Sequence, residues 1–148
     1  MEQQIKNGGL DPEMFEKIIE IFKNNNFINY LDIRLKSLAP GEAVMTMHIQ
    51  NQHLNTYKNA HGGATFSLLD TVMGSTLRTL GYYGNTVEMN INYLLPVESN
   101  QVVTAIGKVI KAGKRIVVLE GSLFDQKGNV AVIARGTFIN KGTYSPAK

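Results

Sequence analysis

A chain of 148 residues with 43% hydrophobic and 18% charged side chains can bury one core and is unlike a disordered chain. It contains no cysteine, which excludes disulfides, thiolate nucleophiles and Cys-ligated zinc. A net charge of +3 without Arg/Lys runs or base-stacking aromatic motifs points away from nucleic acid as a partner. At the start of the chain, Met1 to Gly9 lack the apolar stretch of a secretory signal. No later run approaches the ~18 apolar residues of a membrane span, so the expected setting is cytoplasmic with no membrane partner.

Asp11-Pro12 reads as a helix start, with Asp as N-cap, Pro at the first helical position and Glu13 in the first turn. Met14, Phe15, Ile18, Ile19, Ile21 and Phe22 recur at helical spacing, and Asn24-Asn25-Asn26 ends the segment. Leu31 to Ile49 reads as two strands turning at Pro40-Gly41. A polar loop from Gln50 to Ala60 leads into a long helix from His61 to Leu80, closed by Gly81. Thr86 to Leu95 alternates, with Val87, Met89, Ile91, Tyr93 and Leu95 on one face and Thr86, Glu88, Asn90 and Asn92 on the other. Val102 to Ile110, Arg115 to Phe124 and Val130 to Ile139 follow as strands joined by hairpin turns, each with a Gly expected at positive φ (Gly113 and Gly128). The tail from Lys141 is expected to fray. An apolar helix laid on an antiparallel sheet is an α+β architecture.

The long helix carries the chemistry. Its start, His61-Gly62-Gly63, presents unpaired N–H groups and partial positive charge, which suit a developing oxyanion. Asp70 falls two turns later, about 20° from Gly63 and Leu77 and about 40° from Phe66 and Gly74. On such an apolar or glycine-lined face a carboxylate loses hydration, which favours a stronger base. Capping a loop or pairing with a cation is the competing use of Asp70.

With Asn55, His61-Gly62-Gly63, Asp70 and Thr86-Val87-Glu88-Met89-Asn90 in view, the chain resembles the hotdog-fold acyl-CoA thioesterases, most closely the phenylacetate-degradation type. The resemblance runs from about Asn29 to Ile139. It implies a hotdog fold, an antiparallel sheet wrapped around the long helix, with an additional N-terminal helix. Residues 1–148 would form a single hotdog domain, with an N-terminal helical segment at 1–28, the core at 29–140 and a tail at 141–148. It further implies a homodimer joined edge to edge, often a dimer of dimers, with Asp70 of one subunit facing Asn55 and Gly62 of the other. An acyl-CoA, aryl such as phenylacetyl or medium-chain, would be cleaved to free acid and CoA. Asp70 would act as general base or nucleophile and the Gly62 N–H as oxyanion donor. Asn55 would hold the water or the thioester, His61 would orient near it, and Thr86 would steer the water.

Gly63 is a further candidate for substrate contact. Lys111, Lys114 and Arg115 are candidates for the CoA phosphates, although a solvated basic turn guarding a sheet edge accounts for them equally well. His48 and His53 lack the carboxylate or cysteine that would complete a ligand set, so no metal and no cofactor are expected, CoA being part of the substrate. The rival to an enzyme is a non-catalytic acyl-CoA-binding hotdog module.

Overall fold

Helix α1 (Pro12–Lys23) forms where its caps require: the Asp11 carboxylate accepts from the Glu13 and Met14 N–H groups, both at 3.1 Å. Its inner face buries Phe15, Ile18, Ile19 and Phe22, each contributing roughly 1.5–3 kcal/mol. The asparagine run ends α1 as expected, but Asn25 also caps a short second helix, α2 (Asn26–Tyr30), which periodicity did not reveal. The chain is described here from a computed structural model covering residues 4–144; the expectations for residues 1–3 and for the tail from 145 onward lie outside the described residues.

A two-residue strand β1 (Lys6–Asn7) runs parallel to β2 (Ile33–Ala39), an addition too short to leave a sequence pattern. Strand β3 (Glu42–His48) returns through the Pro40-Gly41 turn, where Gly41 holds φ at 76°. After the long helix α3 (Gly62–Arg78), the strands β4 (Tyr82–Tyr93), β5 (Val102–Ala112), β6 (Ile116–Phe124) and β7 (Val130–Thr143) complete one sheet. Its order is β1-β2-β3-β5-β6-β7-β4, antiparallel apart from the β1–β2 pair. The expected α+β hotdog architecture is the one observed.

Helix α3 lies across this sheet with Leu68, Leu69, Val72, Met73, Thr76 and Leu77 buried against it. The sheet is hollowed to receive the helix. Gly107 and Gly121 face each other across β5 and β6. A Cβ at Gly107 would collide with Thr76 Oγ1 and stand 3.0 Å from the Val72 carbonyl oxygen.

Two expectations need correction. The tail does not begin at Lys141, because β7 runs to Thr143 and pairs with β4 down to Tyr82. Gly113 is not at positive φ, unlike Gly128 at 86°; it is required because a Cβ there would stand 2.6 Å from the Ile116 carbonyl oxygen. The turn is tight rather than left-handed.

Candidate active site

The start of α3 is built by His61. Its Nδ1 accepts from the Gly63 N–H at 2.8 Å, and its carbonyl oxygen accepts from Ala64 and Thr65 N–H at 2.9 and 3.3 Å. The Thr65 bond is the first regular helical one; with the His61 N–H donating to the His53 carbonyl oxygen at 2.6 Å, three of the four N–H groups that open the helix are used. The Gly62 N–H is the one left without an acceptor among the described residues. The Gly63 donor is spent on the cap. The ring of Tyr93, from the end of β4, lies over Gly62, and its hydroxyl donates to the Gly62 carbonyl oxygen at 3.0 Å. Burial against the helix raises the Tyr93 phenol above its ordinary value, so it remains a donor.

Asn55 opens the turn that precedes this helix. Its Oδ1 accepts from the N–H groups of Tyr57 and Asn59 at 2.9 and 3.1 Å, and its own N–H donates to the Asn59 carbonyl at 2.8 Å. With the oxygen committed, Asn55 offers a ligand its Nδ2 amide. Asn55, Gly62 and Tyr93 line one pocket of about 290 Å³, together with Leu94, Leu95 and Pro96.

Asp70 lies in a different pocket, of about 420 Å³, between α3, the edge strand β4 and the N-terminal helices. Thr86 Oγ1 donates to Asp70 Oδ1 at 2.7 Å. Alternation had placed Thr86 on the face opposite Met89. A bulge between Thr86 and Glu88 inserts one extra residue into β4, so Thr86 pairs with Phe138 and turns toward α3, as Met89 does. Asp70 itself is half-buried, on the flank of α3 that faces β4, and keeps some access to water.

The two clusters do not meet within one chain. Gly62 and Asp70 are eight residues apart on one helix, about 12 Å along its axis.

Lys111, Lys114 and Arg115 are exposed around the β5–β6 hairpin. The register Thr86–Phe138–Val117–Ala112 places that hairpin at the end of the sheet that holds Thr86, away from the start of α3. His53 is buried and structural: Nδ1 accepts from the Gln50 N–H at 2.9 Å and Nε2 donates to the Leu31 carbonyl at 2.8 Å. Among the described residues no group of three His, Cys, Asp or Glu side chains could hold a metal ion. An N-terminal helix over the sheet or the mouth of an acyl tunnel is what the sequence leads one to expect of α1, whereas Tyr93 and the α2 residues Phe27 and Ile28 carry no such local signal.

The model of the thioesterase superfamily matches residues 57–132, which span the Gly62 turn, Asp70 and Thr86. The chain belongs to the thioesterase superfamily. The enzyme class that the resemblance implies, thioester hydrolase, is that of the family. Human acyl-coenzyme A thioesterase 13 is 32% identical over 126 residues, covering 82% of this chain and 88% of that protein. The structure of the Escherichia coli PaaI protein from the phenylacetic acid degradation operon superposes with a TM-score of 0.86 at 26% identity, over 91% of this chain and 98% of that one. A hypothetical thioesterase from Streptococcus pneumoniae, solved with coenzyme A, matches at TM-score 0.74 and 31% identity over 76% and 91% of the two chains. Alanine mutants of that protein were solved at an Asp and a Thr sixteen positions apart, the separation of Asp70 and Thr86 here. Among the described residues no helix is long and apolar enough to cross a membrane.

Proposed function

We propose that this protein hydrolyses acyl-CoA thioesters, aryl such as phenylacetyl or medium-chain, in a site completed by two copies of the chain. One observation carries the reading: a helix start with one unclaimed N–H, and a threonine-held carboxylate on the same helix that its own Gly62 cannot serve. Each chain thus holds two half-sites. Strand β4 ends the sheet, and Tyr83 and Val87 on it are 44% and 58% exposed. A bare edge of this kind is a template for pairing with a second strand. Two-fold pairing there sets two α3 helices side by side and antiparallel, bringing Asp70 of one protomer toward Gly62 and Asn55 of the other. A second contact, between faces of two such dimers, gives a dimer of dimers.

In that site the thioester oxygen sits at the Gly62 N–H and the positive end of α3, a donor worth ~3 kcal/mol to a tetrahedral intermediate. Asn55 Nδ2 holds the attacking water or the thioester. Thr86 fixes one Asp70 oxygen and leaves the other to take the proton of water as its oxygen bonds the acyl carbon. The carbon–sulfur bond then breaks, and the proton passes from Asp70 to the departing thiolate. Exposed Lys111, Lys114 and Arg115 supply cations for the nucleotide phosphates.

The test is release of free thiol from acetyl-, octanoyl- and phenylacetyl-CoA. Asp70→Ala is expected to lower kcat by about 10²-fold or more. Thermal stabilisation by these esters without thiol release would instead identify a binding module, and full activity in the Asp70 variant would remove the proposed base.

A further inference from the structure

Asp70 and Thr86 occupy only one end of their pocket. Asp70, Gly74 and Arg78 follow one another at four-residue steps on α3, so they share a face, and all three line the cavity. Asp70 and Arg78 stand about 12 Å apart along the axis. Between them a Cβ built at Gly74 would meet nothing within 4 Å, so the floor is open there. Side chains on a helix lean toward its N-terminus, which carries Arg78 back over the Gly74 turn and toward Asp70.

The wall opposite is apolar and comes from the N-terminal helices: Ile18, Ile21 and Phe22 of α1, and Phe27 and Ile28 of α2. Phe27 is 58% exposed, a large apolar surface presented beside the cavity. The arrangement is a slot with one apolar wall, the hydroxyls of Ser67, Thr71 and Ser75 on its α3 side, a carboxylate toward one end and a guanidinium toward the other. Among the described residues Arg78 forms no ion pair with a carboxylate. A plain alkyl terminus would strip water from that guanidinium without replacing its hydrogen bonds, which is costly, whereas a carboxylate matches its paired donors.

We infer that the acyl group lies over Gly74 against the α1–α2 wall and that Arg78 binds an acidic group at its far end. The favoured substrates are CoA esters of medium-length acids that carry a second, distal carboxylate. This deepens the thioesterase reading and rests on it. The N-terminal helices then serve as the wall that sets acyl length, and Arg78 as the residue that selects the terminus.

The experiment compares kcat/KM for octanoyl-CoA and for the CoA monoester of octanedioic acid, with acetyl- and phenylacetyl-CoA alongside. Wild type is expected to prefer the octanedioyl ester. Arg78→Met should reduce that preference by roughly 10- to 100-fold, the range for losing a hydrogen bond to a charged group, and Arg78→Lys should restore part of it. Gly74→Leu should depress both eight-carbon esters relative to acetyl-CoA. Each readout is a ratio measured on one sample, so a smaller folded fraction cancels.

Equal rates for the two eight-carbon esters in wild type, or a ratio that Arg78→Met leaves unchanged, would overturn the assignment. A KM that rises alike for every CoA ester would also overturn it, placing Arg78 on the CoA phosphates instead. Cleavage of acetyl- or phenylacetyl-CoA without either eight-carbon ester sinks the acyl class and leaves the thioesterase standing. Failure to cleave any ester sinks both.

Discussion

Thr86 Oγ1, 2.7 Å from Asp70 Oδ1, donates to one oxygen of a carboxylate that lines the pocket. Replacing Thr86 with Val keeps shape and removes the donor. A hydrogen bond to a charged group contributes about 1.5–3 kcal/mol, so kcat should fall by roughly 10-fold or more, with KM little changed. Steady-state kinetics on phenylacetyl-CoA checks this, and an unaltered kcat would show that Asp70 needs no such support. The placement of Asp70 and Gly62 on one helix was legible because both belong to one local pattern, a glycine start followed by an isolated acid. The direction of Thr86 was not. Strict alternation reverses it, and the bulge that corrects it depends on how β4 pairs with β7, which no local spacing encodes. The difference between Gly62 and Gly63 was hidden for a similar reason: from sequence the two are equal donors, and only the fold shows the His61 ring accepting the Gly63 N–H.

At the level of elements, the seat of α3 on the sheet decides where both half-sites stand. Two glycines on this path predict opposite outcomes. Gly107→Ala forces a methyl against Thr76 and the Val72 backbone, a cost of about 1–3 kcal/mol by overpacking. Gly74→Ala meets no atom within 4 Å and removes a flexible residue from a helix interior, a gain of up to about 1 kcal/mol. Thermal melts at fixed protein concentration should show Tm falling for the first and rising by about 3 °C for the second. A melt in which Gly74→Ala loses stability would mean that its open face is occupied. Helix α1 and the strands β2, β3, β5 and β6 were readable to within about two residues, because caps, turns and alternation are local signals. β1 and α2 were not: two residues of parallel strand and a five-residue helix are held by packing and a single Asn cap, below the length at which periodicity speaks. The early start of β4 at Tyr82 and the late end of β7 at Thr143 share one origin, since each strand is prolonged by the other.

On the scale of the whole molecule, the two clusters are rigidly separated by the same helix that connects them, so no side-chain motion within one chain brings Asp70 to Gly62. The proposed site is therefore one that two copies of the chain would complete. A sequence reports such a site only as two unconnected halves. Here the resemblance supplied the connection and the 12 Å axial offset explains why it is needed. The most direct test is complementation between two inactive variants, Asp70→Asn and Asn55→Ala, coexpressed and purified as mixed oligomers. In a shared site one protomer contributes Asp70 and its neighbour Asn55. Random mixing then leaves roughly a quarter of all sites with both native residues, and thiol release from acyl-CoA should return to about that fraction of wild type. Mixed oligomers no more active than either variant alone would contradict the account, because they would place Asp70 and Asn55 in the service of one and the same chain.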